Sequence, residues 1–174
     1  MKKIIILNGA PKKNGNTACL IKAFSEGAIK AGNEVKEFYL NGMNIKGCLD
    51  CQGCARKELG VPRRCVQQDD MGEIYDYYIN ADVIVFASPI YWFTITGTLK
   101  TAIDRIYAVH RTTNGFNFPQ KETILLLTAG SPLAYEHPLR WYSLFEKMIG
   151  WKSLGTIFGS DKLEEAKALG SSII

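Results

Sequence analysis

Five short apolar runs, each followed by a stretch of helical period, constrain this chain more than any other feature. Lys3–Asn8 (KIIILN) is continuously apolar from Ile4 to Leu7 and rich in β-branched residues. That is the pattern of a strand covered on both faces in a parallel sheet. From Thr17 to Ala31, the residues Leu20, Ile21, Phe24, Ala28 and Ile29 recur at three- and four-residue spacing, so they share one helical face, and Gly32-Asn33 stops the helix. Glu34–Leu40 alternates as a second strand. Asp70 is placed to cap a helix running to about Asn80, and Asp82–Ser88 (DVIVFAS) reads as a third strand that Pro89 ends. A helix follows from about Gly97 to Val109, then a strand at Thr123–Thr128 and a helix at about His137–Ile149. A strand at Trp151–Phe158 and a helix from Asp161 to Leu169 complete the pattern. Strictly alternating strands and helices with right-handed crossovers predict an α/β fold of three layers, a doubly wound five-stranded parallel sheet in the order 2-1-3-4-5. No linker, repeat or low-complexity segment interrupts it. The reading is therefore one domain, 1–174, with a cysteine-rich loop at about 46–69.

Hydrophobic residues make up 47% of the chain and charged ones 22%, enough apolar surface to bury a core and too little polarity for disorder. The net charge of +4 is spread along the chain, which speaks against nucleic acid as a partner. The apolar run after Lys3 stops after four residues, too short for a signal peptide, and no run approaches a membrane span. A cytoplasmic location follows as the expectation, where thiols stay reduced and five cysteines do not read as a disulfide framework.

In doubly wound sheets ligands bind beyond the carboxyl ends of strands, at the point where strand order reverses. The informative loops are then Gly9–Thr17, Ser88–Trp92 and the one after Thr128. In the first, Gly9, Ala10 and Gly15 allow close backbone approach, Pro11 and Asn14 shape the turn, and Lys12 supplies a cation. Asn16 and Thr17 add donors at a helix N-terminus, whose free N–H groups and dipole favour an anion. This is a phosphate cradle by composition and place; the alternative is an ordinary tight turn with an Asn or Thr cap. It is not a Walker A loop, because five residues separate Gly9 from Gly15 and Asn16-Thr17 replaces the Lys-Ser/Thr pair. Ser88, Pro89, Ile90, Tyr91 and Trp92 follow the third strand, and their rings suit either a planar ligand or a packing role. Thr128, Ala129 and Gly130 offer small residues and backbone N–H groups after the fourth.

With these residues in order, NGAPKKNGNT, SPIYW and TAG together resemble the NADPH-dependent FMN reductase group of flavodoxin-like proteins. GCLDCQGC followed by a further cysteine and QQDDM resembles that group's iron-sulfur flavoprotein branch. The resemblance spans nearly the whole chain. It implies FMN, its phosphate at Lys12 and Asn14 to Thr17, its ring against Ser88 to Trp92 and Thr128 to Gly130. It also implies hydride transfer from NAD(P)H to the flavin, then electrons to a small-molecule or redox-protein acceptor, in a homodimer or homotetramer. Asn8 and Lys12 stand where the family commonly has Ser or Arg; Lys12 keeps the charge but not the bidentate geometry. A flavodoxin-like electron carrier without its own turnover is the rival reading.

Cys48, Cys51, Cys54 and Cys65 have two, two and ten residues between them. Such spacing lets thiolates converge, and three readings stand: a 4Fe-4S cluster, zinc, or free thiols packing a loop. The branch that the segment resembles usually has a shorter last gap, whereas ELGVPRR lengthens it here and sets Pro62, Arg63 and Arg64 nearby. His110 and His137 lack metal or nucleophile spacing and read as surface or packing residues, and no GxSxG elbow occurs. No catalytic acid or base is assigned.

Overall fold

A computed structural model describes residues 1–55, 65–112 and 115–174. Five parallel strands form its centre: β1 (Lys3–Asn8), β2 (Glu34–Tyr39), β3 (Val83–Tyr91), β7 (Glu122–Thr128) and β8 (Lys152–Phe158). They lie in the order β2-β1-β3-β7-β8, which is the expected topology. A sixth strand, β4 (Thr94–Ile95), joins antiparallel to the end of β3, and β5 (Arg111–Thr112) pairs with β6 (Gly115–Phe116) in a separate ribbon. The helices are α1 (Asn16–Lys30), α2 (Met71–Asn80), α3 (Gly97–His110), α4 (Glu136–Ile149) and α5 (Leu163–Ser171). None among the described residues is long and apolar enough to cross a membrane.

Alternation along each strand explains why the runs are apolar throughout. Ile4, Ile6, Val83, Val85, Ile124 and Leu126 point to the side covered by α1 and α5. Ile5, Leu7, Ile84, Phe86, Leu125 and Leu127 point to the side covered by α2, α3 and α4. Two-sided burial thus leaves no polar face.

Two expectations are corrected. Pro89 does not end β3: it lies opposite Thr128 as the last partner on β7, and the strand then runs on to pair Ile90 with Ile95 and Tyr91 with Thr94. The missing N–H of proline falls where the parallel ladder is already ending, so it costs little. Asp70 does not cap α2 with its side chain; Asp69 does, its Oδ1 accepting from the Met71 N–H at 3.2 Å. The Asp70 carboxylate instead accepts from the Asn44 N–H at 2.6 Å.

Candidate functional site

The three loops meet at the carboxyl ends of β1, β3 and β7. Ala10, Pro11, Lys12, Gly15, Asn16 and Thr17 from the first, Pro89 and Tyr91 from the second, and Thr128 from the third line one open cavity of about 210 Å³. α1 begins at its edge with Gly15 in the N-cap position and, among the described residues, no side-chain cap. An uncapped helix start keeps N–H groups free for an anion. Of the other expected residues, Gly9 and Ser88 are buried outside this lining, while Asn14, Ile90, Trp92, Ala129 and Gly130 also lie outside it.

Hydrogen bonds hold this arrangement in place. Asn8 donates to Glu37 Oε1 at 2.7 Å, and its Oδ1 accepts from the Ala10 N–H at 2.9 Å, an Asx turn that opens the loop. Tyr39 donates to the Pro11 carbonyl at 2.8 Å. Thr17 and Thr128 share a buried hydroxyl bond of 2.8 Å, which ties the helix start to β7. One of those two hydroxyl protons stays available to a ligand, because the accepting hydroxyl still carries its own. Ser88 turns inward, its Oγ accepting from the Thr96 N–H at 3.0 Å, and Thr96 caps α3 while donating to the Gly9 carbonyl at 2.8 Å. Gly9 has no room for a side chain there: a Cβ would lie 2.6 Å from Leu99 Cβ. The expectation of free N–H groups after β7 fails at Ala129, whose N–H donates to the Tyr135 hydroxyl at 2.9 Å because the turn at Pro132–Tyr135 brings that ring back to the loop.

Trp92 and Phe93 form the two-residue turn between β3 and β4 with φ of 49° and 62°. Positive φ at both central positions is the I′ geometry that matches strand twist, and it normally selects Asn-Gly. Here two aromatic residues hold it, and Trp92 is 92% exposed.

The cysteine loop is clamped at both ends by a buried ion pair. Arg105 on α3 meets both oxygens of Asp69, at 2.7 and 3.0 Å, and donates to the Lys46 carbonyl at 2.6 Å. The Lys46 N–H in turn donates to Asp69. Cys48, Cys51, Cys54 and Cys65 all border one small cavity of about 30 Å³ and form no disulfide. Burial pushes the Cys54 thiol up, and the nearby Cys65, Cys48 and Cys51 add to the shift. Among the described residues, no three Cys, His, Asp or Glu side chains are gathered closely enough to hold a metal ion. The thiols share a wall without converging on a point, so the 4Fe-4S reading gains no support. Pro62, Arg63 and Arg64 lie outside the described residues.

A family model for NADPH-dependent FMN reductases matches residues 2–140, well over half of the chain. The chain belongs to this family. An iron-sulfur flavoprotein of Archaeoglobus fulgidus is 34% identical over 106 residues, 61% of this chain and 46% of that protein. A Bacillus subtilis protein described as an NAD(P)H-dependent FMN-containing oxidoreductase is 35% identical over 103 residues, 59% of this chain and 51% of that one. The chain spans about half the length of the curated relatives it matches. Among solved structures, an NAD(P)H:quinone oxidoreductase from Methanothermobacter marburgensis superposes with a TM-score of 0.71 at 22% identity, covering 98% of this chain and 94% of that one. This likeness shows the flavodoxin-like fold.

In this FMN reductase family member, the residues that sequence reasoning missed are supports. Asn8, Tyr39, Thr96 and Tyr135 each hold a loop from behind. Only Asn8, two residues before Ala10, carried a local signal as an Asx turn.

Two buried groups make the stability fall on acidification. Burial opposes ionisation of Asp69, but hydrogen bonds from Arg105 and the Lys46 N–H outweigh it and hold its carboxyl below the usual range. Burial, joined by the charge of Lys121, pushes His110 below its ordinary value. The His110 Nδ1 faces the Asn117 carbonyl and so carries the proton, leaving Nε2 to accept from Tyr78. For both groups the unfolded chain binds protons first, so each stabilises fully above its unfolded value, about 6.5 for His and 3.9 for Asp, and loses that contribution as pH falls through the folded one. Urea midpoints should therefore fall in two stages on acidification. His110→Phe should flatten the first stage, and an unchanged slope there would contradict the assignment.

Proposed function

We propose that the chain binds FMN in this cradle, accepts hydride on it from NAD(P)H, and passes the electrons to a small-molecule or redox-protein acceptor. The observation that carries the reading is the uncapped start of α1 opening on a cavity built from all three switch-point loops. When bound, FMN supplies the hydride-accepting and electron-releasing chemistry. The chain's own residues bind and orient. Lys12, Asn16 and the first N–H groups of α1 hold the phosphate, with one hydroxyl proton of the Thr17–Thr128 pair available beside them. Pro89 and Tyr91 line the side toward the ring, and the Ser88–Thr96–Gly9 bonds fix their distance from the cradle. No step passes through the cysteines, and no side chain is assigned a proton-transfer role.

Lys12 and Asn16 are both exposed, so each lost phosphate bond is worth less than a buried charge-assisted one. The double variant Lys12→Ala/Asn16→Ala should weaken FMN by about 1.4 to 2.8 kcal/mol, roughly ten- to hundred-fold, in a fluorescence titration of apoprotein. Unchanged affinity would remove the phosphate from this loop.

A further inference from the structure

A second, larger cavity lies between α3 and α4 and shares no residue with the cradle. Its volume is about 520 Å³. That is within the range of sites that enclose small organic molecules. The two helices cover the same face of the sheet yet are held apart, and the gap between them is walled by rings. Trp141 and Phe145 of α4 stack with centroids 5.7 Å apart and planes 24° apart, and Phe116 and Phe118, which follow α3, stack at 5.7 Å with planes within 4°.

We infer that this cavity binds a neutral, planar aromatic molecule of roughly two to three fused rings. Three observations select that chemistry. Four of the lining side chains, Phe116, Phe118, Trp141 and Phe145, are aromatic and pair by stacking among themselves, so the wall favours contact with a further ring, while the Arg111 guanidinium over the Phe116 ring at 5.4 Å disfavours a cationic one. The polar groups at the floor already bond within the protein: Tyr78 Oη to His110 Nε2 at 2.7 Å, and His110 Nδ1 to the Asn117 carbonyl at 2.9 Å. An apolar ligand therefore costs the floor no hydrogen bond. Charge is balanced at the rim, where Lys100 pairs with Asp104 at 2.5 Å, and buried Lys121 behind the Tyr78 ring disfavours a cation.

The test uses the FMN-loaded full chain and N-phenyl-1-naphthylamine, a neutral aromatic dye that brightens in apolar surroundings. Saturable binding of one dye per chain is expected. Met148→Trp, which fills the open side of the cavity, and Trp141→Ala, which removes a stacking wall, should each weaken it about ten-fold or more. FMN affinity should be unchanged in both. No saturable binding, or equal binding in wild type and variants, would overturn the proposal. Dye binding that falls as protein concentration rises would also overturn it, because the occupant is then a second copy of the chain. Should FMN fail to bind, the same titration on the FMN-free full chain and its two variants remains decisive, because both substitutions lie in this cavity and none of its lining belongs to the cradle.

Discussion

Replacing Arg105 by methionine is expected to destabilise the protein by about 3 to 5 kcal/mol, the cost of leaving one member of a buried ion pair alone. Arg105 and Asp69 are each 1% exposed at the side chain. Truncation would strand the Asp69 carboxylate away from water and remove the donor to the Lys46 carbonyl. Two segments far apart in sequence, the two ends of the cysteine loop, would lose their common anchor on α3. The pair itself need not be a net gain over apolar residues, because the Arg105 Nε has no partner among the described residues and desolvation of both charges is costly. Arg105→Met combined with Asp69→Leu should then recover part of the loss. Urea denaturation of the three variants measures this, and a single-variant loss below about 1 kcal/mol would contradict a dry clamp.

Gly170→Ala should also destabilise strongly, at the upper end of the about 1 to 3 kcal/mol typical of overpacking. α1 and α5 cross through Gly27 and Gly170. A Cβ on Gly170 would lie 2.1 Å from the Phe24 carbonyl oxygen and 2.9 Å from the Ala28 nitrogen, both backbone atoms of α1. No rotamer change relieves a backbone clash, so the helices must separate and uncover the sheet face lined by Ile4, Val83 and Ile124. Gly72 near the start of α2 is the control, because a Cβ there meets no atom of the described residues within 4 Å. Gly72→Ala should be neutral or stabilise by up to about 1 kcal/mol through helix propensity. Equal effects at the two positions in thermal unfolding would refute the close crossing.

The sheet order was legible because runs such as IIIL and ILLL can be buried only between two helical layers. The meeting of the three loops at one cavity was legible because they follow β1, β3 and β7 where a doubly wound sheet reverses. What stayed hidden depends on pairings over long sequence distance. Nothing local distinguishes Asp69 from Asp70; Arg105, 36 residues away, makes Asp69 the anchor. Gly27 and Gly170 look like ordinary helix glycines until the crossing sets each against the backbone of the other helix, Gly27 against Lys167 and Ser171 and Gly170 against Phe24 and Ala28. β4 was missed because two residues carry no period, and because Pro89 reads as a terminator when judged without its neighbour on β7. His110 looked like a surface or packing residue, and only the fold closes Tyr78, Phe118 and Trp151 around it.

The central claim is that the cradle holds FMN in a form that a nicotinamide cofactor reduces. The most direct measurement is the visible absorbance of the FMN-reconstituted chain, mixed without oxygen with NADPH and, separately, with NADH in a stopped-flow instrument. The account predicts one FMN per chain and loss of the oxidised flavin band with at least one of the two donors. Protein that takes up no FMN, or bound flavin that stays oxidised with both, would contradict it.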